Sequence, residues 1–291
     1  MGADSGVVKI ICWNIARRDE CWKCLANSDA DIALLQEAAK PPREFSERIH
    51  TDPAPWITAG ADVRNPRTWR TAIVRLSDRV NVDWIKAKSI DEAGSGELAV
   101  SRLGTLAAAR VSMNGIDPFV CVSMYAPWTR PLTIAGGSWI ISDASAHGVV
   151  SDLSAFIGRQ RGHRIVAAGD LNILYGYGEY GSPYWAARYE TVFTRIDALG
   201  LTFIGPQFPN GRQADPWPDE LPRDSKNVPT YHSRRQTPAT ARRQLDYAFA
   251  SRGFHETISV RAMNGINEWG PSDHCRLIIE VETDAESGAG P

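Results

Sequence analysis

Two short stretches carry residues of the kind that move protons and charge. In Gly169-Asp170-Leu171-Asn172, an acid and an amide stand two residues apart directly behind the apolar run Ile165-Val166-Ala167-Ala168. In Ser272-Asp273-His274, an acid and a histidine adjoin just ahead of a second apolar run, Cys275 to Val281. The same pattern of polarity at the end of an apolar strand recurs at Asn14, Glu37, Tyr125 and Asp246. Singly, each reads as a cap or a loop-starting polar residue. In this order, and each against an apolar run, they exceed what capping explains. Carboxylates gathered with amides and a histidine suit chemistry on a phosphate ester. Acids hold a hard divalent cation there, and the histidine and remaining acids sort the protons.

The elements that must position these residues follow from the apolar spacing. Strands are expected at Val7–Trp13, Ile32–Leu35, Thr71–Leu76, Val80–Ala87, Leu106–Met113, Phe119–Met124, Leu245–Ala250 and Cys275–Val281, with another near Tyr231. Those from Thr71 to Met124 read as one antiparallel meander. Helices are expected over Asp19–Ala26, Trp139–Arg159 and Tyr184–Leu199. Gly169 marks the point where the chain turns out of its strand. The stretch from Gly205 to Pro229, rich in Pro, Gly, Asn and Asp, reads as a long irregular loop, which in a compact domain is usually functional or disordered.

The bulk composition sets bounds. At 291 residues, 43% hydrophobic and 23% charged, the chain is an ordinary globular protein long enough for a large core. A formal net charge of -2 gives no global attraction to nucleic acid, although a local basic groove would suffice. No apolar run reaches membrane-spanning length, and the N-terminus lacks the features of a signal peptide. Gly2 begins a myristoylation pattern that fails at Gly6. Five cysteines, some inside apolar runs, fit a reducing cytoplasm, and Cys21 and Cys24 read as two thiols on a helix. Without a second CxxC or a paired histidine motif, they do not form a zinc site. No internal repeat or linker shows, so residues 1–283 are expected as one catalytic domain and 284–291 as a flexible tail.

From Cys12-Trp13-Asn14 to Ser272-Asp273-His274 and the strand behind it, the chain resembles the endonuclease/exonuclease/phosphatase superfamily of metal-dependent phosphodiesterases. Gly169-Asp170-Leu171-Asn172 and Ser272-Asp273-His274 are the specific pieces. Trp13-Asn14, Gln36-Glu37 and Leu245-Asp246-Tyr247 support them by their order. The resemblance implies an α/β (α+β) four-layer sandwich, with two mainly antiparallel β-sheets packed face to face, helices on the outer faces and the site at one end of the sheets. It also implies Mg²⁺ or Mn²⁺ held by Glu37, with Asn14 beside it and Asp273 as a further ligand, directly or through water. Asp170 would orient or deprotonate the attacking water, and Asn172 would hold that water or a phosphate oxygen. His274 would donate to the phosphate, its ring held by Asp246.

Tyr125 stands where pancreatic-type DNases and sphingomyelinases of this superfamily carry His and where exonuclease III-like enzymes carry Tyr. That points to DNA or RNA as substrate, with the phenol near the scissile phosphate. Ala16 and Trp128 depart from the pattern of the abasic-site and retroelement enzymes, which carry an acid and an Asn at those places. Basic and aromatic residues suggest a groove: Arg64, Arg67, Trp69 and Arg70 in one loop, Arg234, Arg235, Arg242 and Arg243 in another, and Trp128. No membrane and no obligate protein partner is expected. The rival readings are a phosphatase or phosphodiesterase of inositol phosphates or phospholipid head groups, and a catalytically silent relative that binds nucleic acid or protein.

Overall fold

The computed structural model describes residues 6–45, 47–57, 67–128, 142–157 and 163–282. In chain order the elements are β1 (Val7–Asn14), α1 (Asp19–Ala26), β2 (Ile32–Ala39), β3 (His50–Thr51), β4 (Trp69–Arg75), β5 (Asn81–Ile85), β6 (Ala87–Ser89), β7 (Leu98–Val100), β8 (Leu106–Met113) and β9 (Ile116–Tyr125). There follow α2 (Ser142–Ile157), β10 (Ile165–Asp170), α3 (Pro183–Ala198), β11 (Leu201–Gly205), β12 (Asp246–Ser251), β13 (Ile258–Ala262) and β14 (Leu277–Glu282). One sheet runs β13-β14-β1-β2-β4-β3 and the other β11-β12-β10-β9-β8-β5, with β6-β7 a small separate pair. Both large sheets are mixed. β1 lies parallel to β2, and β9 parallel to β10, with their other pairings antiparallel.

Alternation of side chains along the strands makes the four layers. Val8, Ile10 and Cys12 of β1 face inward and meet Val166 and Ala168 of β10 in the core between the sheets. Ile11 and Trp13 point the other way and pack with Cys21, Trp22 and Leu25 of α1. Ile165 and Ala167 of β10 pack outward with Val149 and Leu153 of α2 and Val192 and Ile196 of α3. Each sheet thus contains one parallel pair bridged by a helix on its outer face. That connection leaves the carboxyl ends of β1, β2, β9 and β10 at one end of the sandwich.

Three expectations need correction. The strands from Thr71 to Met124 are not one meander, because β4 pairs with β2 and β3 whereas β5, β8 and β9 belong to the other sheet. Gly169 lies inside β10 rather than at a turn. A Cβ there would fall 1.8 Å from the Met124 carbonyl oxygen, so only glycine permits the close approach of β9. Short strands β11 and β13 were not read from the sequence, and β2 runs on past Leu35 to Ala39. The stretch after Gly205 is irregular, as expected, and folds back on the molecule: Val228 enters the inter-sheet core, and Asn227 Nδ2 donates to the Tyr175 carbonyl at 2.7 Å. Arg64, the ends of the helix expected over Trp139–Arg159, and the tail lie outside the described residues.

Among the described residues, no helix is long and apolar enough to cross a membrane. Cys21 and Cys24 are free thiols on α1, as are Cys12, Cys121 and Cys275 elsewhere.

Candidate active site

Strand register assembles the site. Tyr125 is level with Asp170, and Asp170 with Asp246, so β9, β10 and β12 set three polar side chains abreast. In the other sheet Asn14 ends β1 level with Gln36 of β2. The β2–β4 register shifts between Leu35 and Ala38, and Glu37 within that bulge takes φ +46°, in the left-handed region. A bulge of this kind re-aims a side chain, and here the result is Glu37 beside Tyr125. Gln36, fully buried, donates to Ser123 Oγ at 3.0 Å and ties the two sheets together at this end.

The loop before β14 is fixed by its own contacts. Ser272 Oγ donates to the Asn14 carbonyl at 2.7 Å, and Trp13 Nε1 donates to the His274 carbonyl at 2.9 Å. His274 therefore enters between the sheets, with Nδ1 2.8 Å from Asp246 Oδ2 and Nε2 3.9 Å from Asp170 Oδ2. Asp170 Oδ2 accepts from Asn14 Nδ2 at 2.9 Å and from Asn172 Nδ2 at 3.0 Å, while Oδ1 accepts from the Asn172 amide at 2.9 Å. Across the cleft, Tyr125 Oη donates to Glu37 Oε1 at 3.0 Å.

The electrostatics follow from burial and charge. Burial pushes the Asp170 carboxyl up, against the pull of His274, to about 7. Burial alone would push His274 down, but the charges of Asp246 and Asp170 and the Asp246 hydrogen bond raise it to about 10. The Tyr125 phenol is held well above its usual range by burial and by the Glu37 charge, so it stays a donor.

A cleft of about 350 Å³ opens over these groups, lined by Glu37, Tyr125, Asp170, Asn172, Asp273 and His274. Its walls are Arg17, Arg67, Trp69, Trp128 and Tyr231. A larger cleft of about 960 Å³ lies at the opposite end of the second sheet, against Phe119 and Arg164, and holds none of the candidate residues.

Of the anticipated residues, Asn14, Glu37, Tyr125, Trp128, Asp170, Asn172, Asp246, Asp273 and His274 come together at this end. Asn14 and Asp246 lie behind the cleft lining, and the anticipated groove residues Arg70, Arg242 and Arg243 do not line it. Arg70 is buried: Nη1 lies 2.8 Å from Asp52 Oδ2, Nη2 bonds the Ala54 carbonyl, and the guanidinium stacks on Trp56. Strand alternation turns it away from the groove and makes it a brace for the loop before β4. Arg243 is held by both oxygens of Glu179, at 3.2 and 2.7 Å, and Arg242 is exposed outside the cleft. No residue from Gly205 to Pro229 lines the cleft either.

Asn172 also differs from expectation. Its amide nitrogen donates to Asp170 Oδ2 and to the Ala126 carbonyl, and its oxygen accepts from Trp128 Nε1. With both N–H groups directed inward, Asn172 positions Asp170 and has no donor left for a phosphate. Arg17 and Tyr231 were missed. Arg17 sits 3.7 Å from Glu37 Oε2 on left-handed backbone, and the Tyr231 ring lies 4.9 Å from the His274 ring. Neither position has a local sequence pattern that marks it.

The donor set suits a divalent cation. Asp170, Asp246 and His274 each offer an atom within 4.8 Å of the others and could hold one with the imidazole neutral; with the ring protonated, the cation is left to the other carboxylates of the cleft. Asp246 Oδ1 is a buried acceptor without a hydrogen-bond partner, and Glu37 and Asp273 present further carboxylates to the same cleft. Oxygen-rich sets of this kind fit Mg²⁺ or Mn²⁺.

Neither a family model nor a curated protein matches the chain. Solved structures do. The endonuclease domain of TRAS1, a telomere-specific non-LTR retrotransposon, superposes with a TM-score of 0.61 at 15% identity, covering 95% of this chain and 99% of that one. An AP endonuclease from Leishmania major gives 0.59 at 14% identity, over 95% and 88% of the two chains. An AP endonuclease from Archaeoglobus fulgidus gives 0.55 at 17%, over 94% and 98%. At these identities the likeness is one of fold alone.

Proposed function

We propose that the protein is a divalent-metal-dependent phosphodiesterase that hydrolyses DNA or RNA phosphodiester bonds in this cleft. The observation that carries the reading is His274 held between Asp246 and Asp170. A histidine fixed on one side by a buried carboxylate keeps its proton at neutral pH and presents it from Nε2. That proton meets the phosphoryl oxygen. Asp170, with a proton affinity raised to near neutrality, takes the proton of the attacking water. Asn14 and Asn172 hold its carboxylate in place. Glu37, with Asp273 and Asn14, would hold Mg²⁺ or Mn²⁺, which supplies positive charge to the phosphate and the leaving oxygen when bound.

The nucleic-acid part of the reading is supported by Arg17, Arg67, Trp69 and Trp128 around the cleft, a mixture suited to pairing phosphates and stacking bases. The named activities of the three structural neighbours agree with it. The test runs plasmid DNA, an oligoribonucleotide and inositol phosphates in parallel, with Mg²⁺, Mn²⁺ or chelator. Metal-dependent cleavage of nucleic acid in preference to inositol phosphates is expected. Release from inositol phosphates alone, or no nucleic-acid cleavage with any divalent ion, overturns the reading.

A further inference from the structure

Several arginines of this molecule face a carboxylate: Arg70 meets Asp52, Arg188 meets Asp143 and Arg243 meets Glu179. Arg67 and Arg102 are different. Among the described residues neither forms an ion pair, and Arg67 Nη1 is a buried donor with no hydrogen-bond partner. Arg67 lines the cleft, its guanidinium stacked 4.3 Å from the centre of the Trp69 ring, and Trp69 meets Tyr125 edge-on at 5.4 Å. Arg102 lies in the turn ahead of β8. That turn is fixed on one side by Thr71 N–H to the Gly104 carbonyl at 3.0 Å, and on the other by Tyr125 N–H to the Thr105 carbonyl at 2.8 Å. Thr105 Oγ1 also donates to the Arg102 carbonyl at 2.7 Å.

Both side chains are half-buried, Arg67 reaching Tyr125 through the Trp69 ring and Arg102 on the turn that the Tyr125 amide holds. Burial depresses both guanidinium pKa values, and the charge of Arg102 depresses that of Arg67 further, with Glu37 a weaker opposing influence. Two like charges partly withdrawn from water without a paired carboxylate are unfavourable on their own. An anion settling between them removes that penalty. Paired guanidinium forks suit phosphate oxygens in particular.

We propose that Arg67 and Arg102 form an anion subsite on the Tyr125 side of the cleft, which takes a second phosphate of the substrate next to the one cleaved. Trp69 pins Arg67 by stacking and offers its ring edge to Tyr125. The proposal rests on the nuclease reading, because a nucleic acid carries a neighbouring phosphate at every step. The neighbour is either an internucleotide diester or a terminal phosphomonoester.

The test is calorimetry without metal, so that nothing is cleaved. Its ligands are thymidine 5′-phosphate, thymidine 3′,5′-bisphosphate, and the latter with its 3′-phosphate methylated. The wild type should bind the two-phosphate compounds at least about tenfold more tightly than the monophosphate, the worth of one charge-assisted contact. Arg67→Gln and Arg102→Gln should each remove most of that preference and lower the salt dependence of two-phosphate binding by about one charge. Arg67→Lys and Arg102→Lys should keep the salt dependence. Preference for both two-phosphate compounds assigns the subsite to an internucleotide phosphate, and preference for the bisphosphate alone to a terminal one. Equal binding of all three compounds by the wild type, or a preference unchanged in both Gln variants, overturns the subsite. Should the preference hold while no nucleic acid is cleaved with any metal, the subsite stands and the nuclease reading falls.

Discussion

His274 bridges two carboxylates that belong to neighbouring strands: Nδ1 lies 2.8 Å from Asp246 Oδ2 on β12, and Nε2 lies 3.9 Å from Asp170 Oδ2 on β10. The two acids are level in the β10–β12 register, so the ladder itself sets the span into which the imidazole fits. The longer of the two distances leaves Nε2 without a direct hydrogen bond to Asp170 and available to a ligand.

Removing one acid should lower the proton affinity of the ring. In metal-free protein, Asp246→Asn replaces a charge with a neutral amide of the same shape. The His274 ring, raised to about 10 in the wild type, should then titrate several pH units lower, nearer the ordinary histidine value of about 6.5. The ring resonances in an NMR pH titration report this directly. An unchanged titration would mean that Asp246 does not govern the proton.

The same shift fixes a stability trend. The folded state holds the His274 proton up to about 10, whereas the unfolded chain releases it near 6.5. Between those values the native state binds more protons, so stability falls as pH rises. The contribution is fully present below about pH 6.5 and is lost as pH passes 10. Asp170, raised from 3.8 to about 7, acts in the same direction at lower pH. Urea unfolding of metal-free protein at a series of pH values should show this decline above pH 7, and His274→Gln should flatten it.

Arg70 should matter to stability rather than to binding. Its pair with Asp52 is buried, and removing one partner leaves the other charge uncompensated, at a cost of about 3–5 kcal/mol. Asp52→Ala and Arg70→Ala should each lower the urea midpoint markedly. A variant of Arg70 with weakened nucleic-acid binding and wild-type stability would contradict this placement.

Trp128 is expected to act through Asn172. Trp128→Phe keeps an aromatic wall but removes the N–H that the Asn172 oxygen accepts. The loss of one neutral hydrogen bond corresponds to about a two- to tenfold effect. It should fall on kcat, through the looser Asp170 carboxylate, with KM for substrate little changed. A change confined to KM would instead assign Trp128 to base stacking.

Much of this end of the molecule was legible in the sequence because the chemistry sits where apolar runs stop. Asn14, Tyr125 and Asp170 each close a strand, and the apolar runs located those strands to within a few residues. Glu37 was found although its strand continues past it, because the bulge is invisible in the pattern while the acid is not. What could not be read was pairing. Nothing local tells β4 to join β2 rather than β5, or sends Arg70 inward to Asp52 and leaves Arg67 on the cleft wall. Tyr231 and Arg17 reach the cleft through tertiary contacts alone. For the same reason the inward-turned amide of Asn172 had no sequence signature.

The central claim is that Asp170 and His274 move protons during phosphodiester hydrolysis in this cleft. It is tested most directly by single-turnover cleavage of a labelled oligonucleotide at saturating Mn²⁺, comparing the wild type with Asp170→Asn and His274→Gln. Each variant should bind the oligonucleotide and fold as the wild type does, yet cleave about 10²–10⁴-fold more slowly, the range of one positioned acid or base. Cleavage at the wild-type rate by both folded variants would contradict the account.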